Sequence, residues 1–252
     1  MTEKPRVALF VTCLADLFRP QVGFAAAKLL EQAGCEVFVP LQSCCGQPAY
    51  NSGDAKDAAA IARQVISAFE PFDFVVAPSG SCAGMIAKHY PRLLADDPEW
   101  AERAKALAAK THELFSFLVD VRGMKSVTAE CNAKAAYHDS CSSAREMGVS
   151  AQPRALLASV RGLRLHEIAD KDVCCGFGGL FSVKYPEISA RMADDKLANA
   201  KAKGAEMIVG GDLGCLLHLA GRLARQGSTI RVRHAAEVLA GMADGPAIGE
   251  DP

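Results

Sequence analysis

Short apolar runs alternate with amphipathic stretches along the chain, and the alternation occurs twice. Residues 7–11, 36–39 and 74–77 read as strands in the first half, and 134–137, 163–167 and 207–209 in the second, with 229–232 a further candidate. Between the first two runs Val22, Ala26, Leu29, Leu30 and Ala33 recur at helical spacing, and Gly34 follows as a helix-ending residue. Residues 54–69 keep the same period through Ala58, Ile61, Ala62, Val65, Ile66 and Phe69, and 186–203 reads as the long helix of the second half. Strands that take turns with helices predict an α/β fold, with a small, mainly parallel sheet flanked by helices in each half.

The cysteines carry the same duplication. Cys13, the pair Cys44-Cys45 and Cys82 recur as Cys141, the pair Cys174-Cys175 and Cys215, at offsets of 128, 130, 130 and 133. Gly46 and Gly176 follow the two pairs, and Thr111-His112-Glu113-Leu114 is echoed by Arg233-His234-Ala235-Ala236. The repeat predicts two tandem domains, 1–125 and 126–243, and a tail, 244–252, without apolar period that is expected to fray. Each repeated cysteine lies just beyond the carboxyl end of an expected strand. In an open α/β sheet the loops at that edge converge on a crevice, so cysteines distant in sequence are expected to gather into two sites.

Composition narrows the chemistry. A net charge of −1 and 23% charged residues give no field to attract nucleic acid or an anionic membrane. No run reaches the 18 or so apolar residues of a membrane span, and the N-terminus shows no secretory cleavage pattern, so the expected location is cytoplasmic, or peripheral to a membrane through a partner. Ten cysteines in such a setting point to metal or redox chemistry rather than disulfides. Cys35 and Cys131 fall outside the repeat and read as small buried apolar residues.

Zinc sites usually draw on short Cys-x-x-Cys knuckles, which are absent, and adjacent cysteines are expected to diverge, which suits different irons of a cluster better than one ion. Backbone N–H groups around Gly46, Gly176, Gly178 and Gly179 are positioned to stabilise an anionic cluster. The string 176–179 lacks the spacing of a dinucleotide loop, so no nicotinamide or flavin is expected. His138 reads first as a hydrogen-bond partner that orients the Cys141 loop, with ligation and proton donation as alternatives. His218, three residues after Cys215, is a candidate ligand from the first helical turn, where the repeat places Met85. Arg145, Lys184 and Tyr185 are weaker candidates for holding an anion.

The strings 11–14, 42–49, 78–82, 137–141, 174–179 and 214–218 together resemble the cysteine-rich CCG-domain oxidoreductases, and among them the lactate-utilization branch, over nearly the whole chain. The resemblance implies iron–sulfur clusters of the [4Fe–4S] type, cubane or noncubane, held by Cys13, Cys44, Cys45, Cys82, Cys141, Cys174, Cys175 and Cys215. It implies an electron-transfer subunit acting with two other lactate-utilization proteins, one of them ferredoxin-like, to oxidise L-lactate or a related small hydroxy acid to pyruvate. The fuller family motif ends in Cys-x-x-Cys, whereas Met85 and His218 occupy the final positions here, which leaves zinc open as an alternative in the first half. A thiol–disulfide redox subunit and a zinc-stabilised scaffold are the competing functions.

Overall fold

The computed structural model describes residues 4–250. Among these residues eight strands form two four-stranded sheets, all pairs parallel. The first comprises β1 (Arg6–Leu9), β2 (Glu36–Phe38), β3 (Phe74–Ala77) and β4 (Thr111–Glu113) in the order β2-β1-β3-β4. The second repeats this with β5 (Glu130–His138), β6 (Arg161–His166), β7 (Met207–Gly210) and β8 (Arg231–His234) in the order β6-β5-β7-β8. The inner strands are apolar without alternation because helices cover both faces; every residue of β7 is buried.

The helices expected from periodicity form where the pattern places them. Gln21–Gln32 turns Val22, Ala26, Leu29 and Leu30 inward, and Gly34 takes a φ of +79° just beyond it. Ala55–Phe69 is capped by Asp54, whose side chain accepts from the Asp57 N–H at 3.0 Å. Pro186–Ala202 begins with proline in its first turn, where the missing N–H costs nothing.

Three findings differ from the sequence expectations. β8 takes up the 229–232 candidate two residues later in the chain, whereas β4 lies where the sequence suggested no strand; three residues are too few to show a period. The echo between these segments also shifts by one. Ala77 pairs with Glu113 and Gly210 with His234, so Glu113 corresponds to His234, while His112 packs between Phe74 and Phe117. Finally, the segment expected to fray is held as far as Glu250. Ala247 and Ile248 are buried, the Ile248 N–H donates to Val232 O at 2.9 Å, and Pro246 O accepts from Arg19 and Arg233.

The two sheets share one core. A central cluster takes Leu29, Leu30 and Phe115 from the first half and Tyr137, Leu157 and Leu239 from the second, while two further clusters cover the outer faces. Burying side chains of this size stabilises by about 1.5–3 kcal/mol each. Polar links cross the same boundary: Arg19 pairs with Glu237 at 2.8 Å, and Lys28 donates to Ala240 O at 2.7 Å. Gly80 lies so close to Ser143 that a Cβ would stand 2.6 Å from the Ser143 Cα, so only glycine allows this approach. Among the described residues no helix is long and apolar enough to cross a membrane.

Candidate metal centre

In each sheet the chain runs from the first strand out to one neighbour and then returns to pair on the other side. Connections therefore diverge between β1 and β3, and again between β5 and β7, which opens a crevice at the carboxyl ends of those strands. Cys13 follows β1 and Cys82 follows β3; Cys141 and Cys215 follow β5 and β7; the pairs arrive on the loops after β2 and β6. The thiols lie in two sets of identical order in which each neighbour shifts the next one's ionisation, Cys13–Cys44–Cys45–Cys82 and Cys141–Cys174–Cys175–Cys215. All eight are free.

The adjacent cysteines, expected to diverge, share a hydrogen bond in both halves. The reason is the glycine that follows. Gly46 at φ +82° and Gly176 at φ +89° curl the chain so that their N–H groups donate to Cys44 Sγ and Cys174 Sγ, each at 3.4 Å. A Cβ at Gly176 would drive into the Ser189 carbonyl, and at Gly46 it would press on Ile61. The Phe177 N–H adds a bond to Cys175 Sγ at 3.5 Å.

Ionisation within each chain of thiols is lopsided. Hydrogen bonds from Cys13 and Cys45 pull the Cys44 thiol down to about 2, while the bond to Cys44 and burial push Cys13 up. Cys174 is likewise pulled down to about 2 by its bonds from Cys141 and Cys175, and its partners are pushed up. A thiolate is stable at Cys44 and at Cys174 because the thiol on either side donates to it. Shedding the remaining protons requires a positive charge at the centre, which is what a metal supplies.

One cavity of about 400 Å³ is lined by all four thiols of the first set and by Cys141 and Cys215 of the second. Gly178 and Gly179 line it beside Phe177 and the N-terminal turn of the Leu213–Arg225 helix. Three further lining residues were not singled out from sequence: Asp212, Ser79 and Ser81. Asp212 Oδ2 accepts from Ser79 Oγ at 3.1 Å and from the Ser81 N–H at 3.0 Å, so a carboxylate of the second half fixes the loop that presents Cys82. Its position after a strand and before a helix start was the available signal.

The two histidines occupy different surroundings. His138 is 1% exposed, both ring nitrogens lack a partner, and a ring nitrogen lies within 4.8 Å of Cys175 Sγ and Cys215 Sγ. Burial, reinforced by Lys196, pulls its pKa down to about 3, leaving the ring neutral with a lone pair available. His218 Nε2 instead faces Ser189, 3.2 Å from Oγ and 3.4 Å from the carbonyl oxygen, and stands outside that close group. Arg145 donates to Asp172 O, and neither it, Lys184 nor Tyr185 lines the cavity. Cys35 lies in the central core.

The chain is thus a duplicated parallel sheet with cysteine loops at its carboxyl edge. The profile described as "CCG: Cysteine-rich domain" matches residues 7–87 and 135–220, and the chain belongs to that family. Among its relatives is Lactate utilization protein A of Geobacillus kaustophilus, 51% identical over 235 residues, 93% of this chain and 98% of that protein. Lactate utilization protein A of Bacillus subtilis is 48% identical over the same shares of both chains. A hypothetical protein from Helicobacter pylori has a crystal structure that shares the fold, with a TM-score of 0.68 at 11% identity; the match spans 97% of this chain and half of that one.

Proposed function

We propose that the chain is an iron–sulfur electron-transfer subunit of a multi-protein oxidoreductase that oxidises L-lactate, or a related 2-hydroxy acid, to pyruvate. The observation that carries this reading is the pair of four-thiol sets at the carboxyl ends of the two sheets, six of whose eight thiols line one cavity. The relatives' name supplies the substrate.

The residues present suit an iron–sulfur group. All eight donors are soft thiols, each set stabilises one thiolate and calls for a cation to ionise the rest, and backbone N–H groups point at Cys44, Cys174 and Cys175. His138 offers an unpartnered nitrogen beside the second set. Such a group, when bound, takes up and releases single electrons. Cys13, Cys44, Cys45 and Cys82 would hold one in the first half, and Cys141, Cys174, Cys175 and Cys215 one in the second.

The chain's own contribution is to place thiols of both sets at a common cavity. Gly46 and Gly176 stabilise negative charge on sulfur through their N–H groups, and Asp212 keeps the Cys82 loop in position. Conversion of lactate to pyruvate releases two electrons and two protons; partner proteins, one ferredoxin-like, take the electrons onward.

Anaerobic purification followed by iron, acid-labile sulfide and zinc analysis, with EPR spectra of oxidised and reduced protein, tests the reading. Iron with matching sulfide and a redox-responsive signal is expected. Zinc alone after anaerobic reconstitution would replace it with the scaffold function. Full lactate turnover by an assembled complex whose Cys174→Ser subunit lacks its cluster would refute it.

A further inference from the structure

The two thiol chains are alike, but the side chains behind them differ in charge. Strand register fixes the correspondence. Leu9 pairs with Val76 as Tyr137 pairs with Val209, so His138 occupies the position of Phe10. On the long helices, Gly46 packs against Ala58 O and Ile61 as Gly176 packs against Ser189 O and Met192, so Lys196 stands where Val65 stands in the first half.

Behind the first set these positions are apolar. Phe10 packs on Phe69 with ring centroids 5.4 Å apart, and Val65 lies in the same buried cluster as Cys45 and Cys82. Behind the second set Lys196 is 4% exposed, with Nζ donating to Asp170 O at 3.2 Å and Lys171 O at 3.1 Å. Those partners are carbonyl dipoles, and among the described residues no carboxylate comes within ion-pair distance of Nζ. Asp139, the nearby acid, is already paired with Arg154 at 2.6 Å. Burial lowers the pKa of Lys196, while Cys175, Asp139, Cys215 and Cys174 raise it, so its charge and negative charge on those sulfurs favour one another across a poorly screened interior. Asp212 bonds to the Cys82 loop and also acts on Cys141, so it weighs on both sets.

A buried lysine with no acidic partner is costly unless it balances negative charge. Adding an electron to a thiolate-held centre makes it more negative, and a fixed cation nearby favours that state. We infer that Lys196 makes the second-half centre the more readily reduced of the two. An electron then leaves the first-half centre and is taken up by the second, with no bond or proton changing place. This inference rests on the proposed iron–sulfur function.

The test is a potentiometric titration of the anaerobically isolated full chain with its iron and sulfide in place, followed by EPR. Two one-electron waves are expected, the upper lost in Cys174→Ser and the lower in Cys44→Ser. Lys196→Met is expected to weaken reduction of the upper wave about tenfold, a shift of about 59 mV, with the lower wave unmoved; Lys196→Arg retains the wild-type value. A lysine that served only to tie the Asp170–Lys171 loop would leave the potential where it was. Coincident waves in the wild type, loss of the upper wave in Cys44→Ser, or a Lys196→Met shift in both waves or neither overturns the inference. The first two do so even where Lys196→Met fails to fold. Absence of iron and sulfide from the wild type removes the proposed function as well, whereas intact centres with waves indifferent to Lys196 refute the inference alone.

Discussion

Glu113 gives the sharpest stability prediction. It is 0% exposed at the end of β4, its Oε2 accepts from the Phe115 N–H at 2.7 Å and the Ser116 N–H at 3.2 Å, and its Oε1 has no partner. Burial raises its pKa from an ordinary 4.5 to about 8, against the pull of the two backbone bonds. Between those values the native state binds the proton and the unfolded chain has lost it. Stability from this group is therefore full below pH 4.5 and declines as pH rises towards 8. The window corresponds to roughly 5 kcal/mol. Glu113→Gln keeps an oxygen to accept from Phe115 and Ser116 but has no proton to lose. Urea unfolding of the metal-free, thiol-reduced protein, followed by far-UV circular dichroism at several values between pH 5 and 8, should show the variant gaining on the wild type at each step. Other titrating groups cancel in the difference. A gap that changes by less than about 1 kcal/mol over that range would refute the claim that Glu113 is buried protonated.

Three further outcomes are expected. Gly176→Ala forces a side chain into the Ser189 carbonyl at φ +89°; it should destabilise the chain by about 1–3 kcal/mol and lower iron content after reconstitution, whereas Gly227→Ala, with open space around a φ of +62°, should leave iron content unchanged. Asp212→Ala strands the Ser81 N–H and leaves the Ser79 hydroxyl only its Ser81 Oγ partner; a loss of about 1–3 kcal/mol in denaturant titration is expected, together with weaker metal retention by the first-half cysteines, and unchanged retention would count against its positioning role. His138→Phe reproduces the first-half residue and removes two unpartnered ring nitrogens; the metal-free variant should be more stable by about 1–2 kcal/mol, while the EPR signal assigned to the second half changes, and an identical signal would show that His138 has no contact with the centre.

Much of this molecule is legible in the chain itself. The eight repeated cysteines, their offsets and the glycines after each pair disclose the duplication and the soft donor chemistry, because a parallel sheet places every strand-end loop at one edge. The helices formed by 21–32, 55–69 and 186–202 follow from apolar period and simple end signals. Other features depend on the meeting of the two halves. That thiols of both sets line one cavity follows from the shared core that joins the sheets, with contributions from Leu29, Phe115, Tyr137 and Leu239. The correspondence of Glu113 with His234 is set by strand register rather than by the His112 echo. Lys196 lies on the buried face of its helix with Ala193, Leu197 and Ala200, and only the fold brings the 170–171 carbonyls to its ammonium. Donor types and loop positions are local properties carried by residue identity, whereas the charge around each centre is the sum over side chains from distant elements, which only tertiary packing brings together.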